Sequence, residues 1–95
     1  MNTQKMTFHV ESRRIDEHGG VSRCKNAEIA LDTDLAGNPS AFNPAELLLA
    51  ALSACIIKGI ERAVPMLKFS LRGVEVQTDG VRQDAPPKKI GRAHV

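Results

Sequence analysis

The chain has no tryptophan and no tyrosine, and its only aromatic side chains are Phe8, Phe42 and Phe69. Base-stacking platforms for single-stranded nucleic acid are therefore nearly absent. The formal net charge is +2, with Lys and Arg spread among acidic residues rather than gathered in one run. That pattern argues against a nucleic-acid partner. No stretch reaches the roughly 18 consecutive apolar residues that a membrane-spanning helix requires. The N-terminal Met1-Asn2-Thr3-Gln4-Lys5 is polar, and no signal-type apolar region follows it. A cytoplasmic location and no membrane partner are expected. The only cysteines are Cys24 and Cys55. In that compartment they read as free or catalytic rather than as a structural bridge, and they lack the paired short spacings of a zinc site. His9, His18 and His94 have no metal-ligand spacing either, and His18, in a turn, reads as solvated. With no phosphate-cradling glycine loop, no dinucleotide fingerprint and no Ser/His/Asp arrangement, neither a metal nor a cofactor is expected.

What is present fits one domain over residues 1–95. A chain of this length buries roughly 60–65% of its unfolded surface, so its core is modest. Met6, Phe8 and Val10 alternate with Thr7, His9 and Glu11, the period of a half-buried strand. Asp16-Glu17-His18-Gly19-Gly20 reads as a turn in which glycine supplies left-handed angles. A second extended piece follows around Val21–Cys24, then a tight turn at Lys25-Asn26 before Ala27, Ile29 and Leu31 alternate. Antiparallel strands over 5–32 are expected, then a loop over 33–42 that either connects or wraps something functional.

The most informative stretch begins at Asn43. Asn is a favoured helix N-cap, Pro44 suits the first helical position, and Glu46 stands where a capping box needs it. The run Leu47 to Ile57 is apolar almost throughout, so the helix expected over 43–64 should be covered on several sides. Pro65 marks its expected end. Beyond it, Leu67, Phe69 and Leu71 alternate, and then Val74 and Val76 alternate in the opposite phase. A bulge at Gly73 would account for the slip. Strands are expected over 67–95, with a loop at Asp84-Ala85-Pro86-Pro87. The fold class is α+β: N-terminal antiparallel strands, one long buried helix carrying Cys55, then further strands.

Cys55 is the residue whose position invites chemistry. Positive charge lowers a thiol's pKa and apolar burial raises it. Lys58 and Arg62 lie roughly on its helix face, where they either favour the thiolate or form an ordinary solvated helix end. The alternative role for Cys55 is that of a small hydrophobe filling a core. Cys24, beside Arg23 and Lys25, is either a resolving thiol or a core or edge position. Glu46 has a capping duty, and Arg13, Arg14 and Arg23 are candidates for a guanidinium that orders a thiolate and an incoming oxygen.

The run Asn43-Pro44-Ala45-Glu46-Leu47-Leu48-Leu49-Ala50-Ala51-Leu52-Ser53-Ala54-Cys55 resembles the motif region of the OsmC/Ohr family, the osmotically inducible and organic-hydroperoxide-resistance proteins. The resemblance implies an intertwined homodimer with sites at the subunit interface. It implies that Cys55 is a peroxidatic thiol reducing a small, organic hydroperoxide, with a thiol reductant completing the cycle. The chain departs from the family pattern in three places. The glutamate of the hydroperoxide-resistance branch falls at Ala45 here, with Glu46 one step later and about 100° around the helix. Cys24 does not match the usual resolving cysteine. The chain also stops where longer members continue, as a short or C-terminally truncated member would. The competing reading is a non-catalytic dimeric binding or structural module with Cys55 in its core.

Overall fold

The computed structural model describes residues 5–68 and 70–83. Three strands, β1 (Glu11–Asp16), β2 (Gly19–Cys24) and β3 (Ala27–Leu31), precede one long helix, α1 (Pro44–Leu67). The strands form an antiparallel sheet in the order β1-β2-β3, so the class is α+β. Register runs Arg13↔Val21↔Ala30 across the sheet, with Glu11↔Arg23↔Glu28 one row along. The second row alternates charge sign, and Arg23 Nε donates to Glu28 Oε2 at 2.5 Å. On the opposite face Ser12 and Ser22 share a hydroxyl–hydroxyl bond of 2.6 Å. Directly opposed pairs of this kind are the unit of sheet stabilisation.

The alternation of Met6, Phe8 and Val10 does not become a strand. Lys5–Val10 carry no strand pairing, and these three side chains are exposed. Apolar alternation needs a surface to cover it, and the described residues supply none opposite this segment. The first hairpin also uses its glycines differently from expectation. Its turn is Glu17-His18, while Gly19 and Gly20 belong to β2 and are not left-handed. They serve close approach: a Cβ on Gly20 would sit 2.7 Å from the Arg13 carbonyl oxygen. Ile15 is the extra residue of a bulge, since Arg14 pairs with Gly20 and Asp16 with Gly19. The second hairpin turns at Lys25-Asn26 with Lys25 at φ 57°.

Loop 32–42 closes on itself. Leu31 bridges Phe42, and the Asp32 amide donates to the Phe42 carbonyl at 2.8 Å. Inside the loop, side-chain oxygens take up amides locally. Asp32 Oδ1 accepts from Asp34 N, Asp34 Oδ1 from Ala36 N, and Asn38 Oδ1 from Ser40 N. This is how Asp and Asn build turns. Helix α1 then starts with the full capping box: Asn43 Oδ1 accepts from Glu46 N at 2.8 Å and Glu46 Oε1 from Asn43 N at 2.9 Å.

The helix runs through Pro65 to Leu67, past the expected end, and closes on Lys68 in the left-handed region. Pro65 removes one amide that would have bonded the Glu61 carbonyl, and Glu61 is exposed to solvent there. The larger correction concerns burial. The helix expected to be buried has no buried residue, and no hydrophobic side chain is buried among the described residues. Leu48 and Leu52 keep 65% and 51% of their surface. The Cα radius of gyration is 18.0 Å, against about 12–13 Å for a compact domain of this length. The described residues do not cover the helix.

Residues 70–83 form no strand, where strands are expected from 67 onward, because no described backbone pairs with them. Their burial still shows the slip in phase at Arg72-Gly73: Leu71, then Val74, Val76 and Thr78, are half-buried while their neighbours are exposed. This segment lies along α1, where Thr78 Oγ1 meets Ser53 Oγ at 2.9 Å and donates to the Leu49 carbonyl at 3.3 Å. Phe69 and the expected Asp84–Pro87 loop and Ile90 strand lie outside the described residues.

Candidate functional site

Helix α1 places its side chains at about 100° steps, which separates two faces. Leu49, Ser53 and Ile60 belong to the half-buried face towards residues 71–80. Cys55 falls nearly opposite Ser53, on the face shared with Leu48, Ala51, Leu52, Gly59 and Arg62. That face is exposed, Cys55 included. The thiol is therefore reachable in a single copy and borders an apolar stripe rather than sitting inside a core. Lys58 and Arg62 are both exposed. Cys24 is half-buried on the sheet, and both cysteines are free.

The sheet arginines line two shallow hollows, and Arg13 borders both. Arg13 and Arg23 line one shallow hollow of about 320 Å³ with Glu11, Ser12 and Val21. In the second, Arg14 joins Arg13 with Asp16, Glu17 and Thr33. Neither hollow includes a residue of α1, so the sheet arginines and Cys55 are not brought together there. Glu46 is held by both arms of the capping box and also borders a 480 Å³ groove between α1 and residues 76–78, with Phe42, Leu49 and Ser53. Cys55 is not in that groove.

Two features escaped the sequence. His18, read as solvated, has a 67% exposed side chain but bonds Asp34 Oδ2 through Nδ1 at 2.9 Å. The bond draws the His18 pKa above its ordinary value, chiefly through the hydrogen bond to Asp34 and then through that carboxylate's charge. The same bond, followed by that from the Ala36 amide, lowers the pKa of Asp34. The other feature is the Ser53–Thr78 pair. Both join residues far apart in the chain, and no local pattern announces them.

No helix among the described residues is long and apolar enough to cross a membrane. Comparison with curated proteins and with solved structures gives no match. The family model described as OsmC-like protein matches residues 37–95, which span the later part of the loop, the capped helix and Cys55. That match covers more than half of the chain and falls on the residues that build the site, and the protein belongs to the OsmC-like family.

Proposed function

We propose that the protein is a thiol-dependent hydroperoxide reductase protecting against oxidative stress, with Cys55 as its peroxidatic thiol. The observation that carries the reading is the exposed Cys55 on a largely apolar helix face, with Arg62 about two turns on, in an OsmC-like chain. The Cys55 thiolate attacks the terminal oxygen of an organic hydroperoxide. The S–O bond forms as the O–O bond breaks, the sulfur loses two electrons, and the alkoxide leaves and takes a proton to become the alcohol. The product on the protein is a sulfenic acid. A thiol reductant condenses with it, releasing water and forming a mixed disulfide, and a second thiol frees Cys55. Leu48 and Leu52 beside the thiol suit the organic part of the substrate.

The working unit is a homodimer. A helix without a buried residue needs a covering surface, and a second copy offers the same apolar stripe in complementary form. Association would also bring residues of a second sheet towards the Cys55 face, which the arginines of one copy do not reach through the hollows they line. The second reading, a non-catalytic module, draws support from Glu46, whose carboxylate is engaged in the cap. Turnover separates the two. The full chain with an alkyl hydroperoxide and excess dithiol consumes peroxide, and Cys55→Ser abolishes consumption while Cys24→Ser retains it. Equal consumption by Cys55→Ser would remove the peroxidase reading.

A further inference from the structure

We propose that His18 and Asp34 form a pH-sensitive clasp pinning loop 32–42 to the β1–β2 turn, closed in mildly acidic solution and slackened in alkaline. The geometry carries it. His18 is at the tip of the first hairpin, and its Nδ1 lies 2.9 Å from Asp34 Oδ2, across 16 positions of sequence. The other Asp34 oxygen accepts the Ala36 amide at 2.8 Å, and the Asp34 carbonyl accepts the Gly37 amide at 3.0 Å. One carboxylate therefore shapes the loop and ties it to the sheet. Asp32, only 7% exposed, braces it from within through the Asp34 amide.

The clasped loop forms one wall of a hollow of about 760 Å³ at the start of α1, where Asp34, Leu35 and Gly37 face Asn43, Pro44 and Arg82. Loosening the clasp loosens that wall, just before the cap of the helix that carries Cys55. The idea stands apart from any chemistry at the thiol.

The charged groups around His18 favour its cation. Asp16 Oδ1 accepts the His18 amide at 2.8 Å, and Glu17 Oε1 lies 3.4 Å from Nε2. From the loop comes Asp34. The opposing cations are Arg13 and Arg14, on the hollow shared with Asp16 and Glu17, and Arg82, on the hollow shared with Asp34. The sign follows from both partners. His18 is raised above 6.5, so its contribution is full below that value and is lost as pH rises through the higher folded value. Asp34 is lowered from 3.8, so its contribution is full above that value and is lost as pH falls through the lower folded value. The clasp is at full strength between these two ordinary values and weakens above them.

The test is hydrogen exchange of the full chain over residues 33–40, expressed as protection corrected for intrinsic rates at pH 5.5 and pH 8. Protection is expected to fall about two- to fivefold on alkalinisation, the range of an exposed ion pair. His18→Gln and Asp34→Asn should show no such fall, and His9→Gln should match the unsubstituted chain. A fall of the same size in His18→Gln would overturn the clasp. The ring protons of His18 give a second reading. Titration above 6.5, moving down in Asp34→Asn, supports the clasp, and titration at or below 6.5 refutes it.

Discussion

Glu46 stands one position from where the family's glutamate falls, and its two possible jobs make opposite predictions. Its Oε1 accepts the Asn43 amide at 2.9 Å while Asn43 Oδ1 accepts the Glu46 amide at 2.8 Å. Removing an Asn cap costs about 0.5–2 kcal/mol, typically about 1. An acidic side chain in the first turn adds about 0.3–1 kcal/mol through the helix dipole. Asn43→Ala should therefore destabilise by about 1 kcal/mol, a fall in Tm of about 4–8 °C for a chain of this size. Glu46→Ala should cost about 0.5–1.5 kcal/mol. Glu46→Gln keeps an acceptor and should recover part of it. The double variant should lose less than the sum, because the two bonds are reciprocal. Helical circular dichroism against temperature, at one protein concentration because association shifts Tm, reads all four. In parallel, the alkylation rate of Cys55 in a Cys24→Ser background should change less than about twofold in Glu46→Ala, since the two side chains fall on opposite sides of the helix. Unchanged stability together with a tenfold slower thiol would refute the capping assignment and hand Glu46 to the site.

Leu52→Lys places a charge on the exposed stripe one turn before Cys55. It should convert a dimer into monomer or unfolded chain in sedimentation, and an unsubstituted chain that is monomeric with a cooperative unfolding transition would contradict the account. Gly20→Ala forces a Cβ to within 2.7 Å of the Arg13 carbonyl and should cost about 1–3 kcal/mol in urea unfolding. Gly73→Ala, with nothing within 4 Å of the added carbon, is the control and should be near neutral. The His18–Asp34 clasp adds a pH dependence: stability conferred by His18 declines as pH rises above 6.5, and His18→Gln should flatten that limb of the urea midpoint against pH.

The parts of this chain legible in its sequence are those decided by neighbours. The cap at Asn43-Pro44-Ala45-Glu46 is local chemistry, and it forms as written. So do the Lys25-Asn26 turn and the slip in phase at Arg72-Gly73, which survives in the burial pattern although no strand forms there. Alternation misled at Met6–Val10 and after Pro65 because it reports which side chains seek cover and says nothing of whether a partner strand is present. The same reasoning explains the helix. Its all-round apolar character predicts several covering surfaces, yet the described residues leave it exposed. Pro65 does not end the helix, because the carbonyl it leaves without a partner is that of Glu61, which is exposed to solvent. His18 and Asp34, and Ser53 and Thr78, belong to no local pattern, since each pair is created by the return of the chain.

The most direct test of the central claim is intact mass, with peptide mapping, after brief exposure of the folded chain to a sub-stoichiometric organic hydroperoxide and a sulfenic-acid trap. The account predicts fast, selective labelling of Cys55, with Cys24 left unmodified. A folded protein in which Cys55 stays unlabelled, or is labelled no faster than Cys24, would contradict it and leave a scaffold that carries the family's helix without its chemistry.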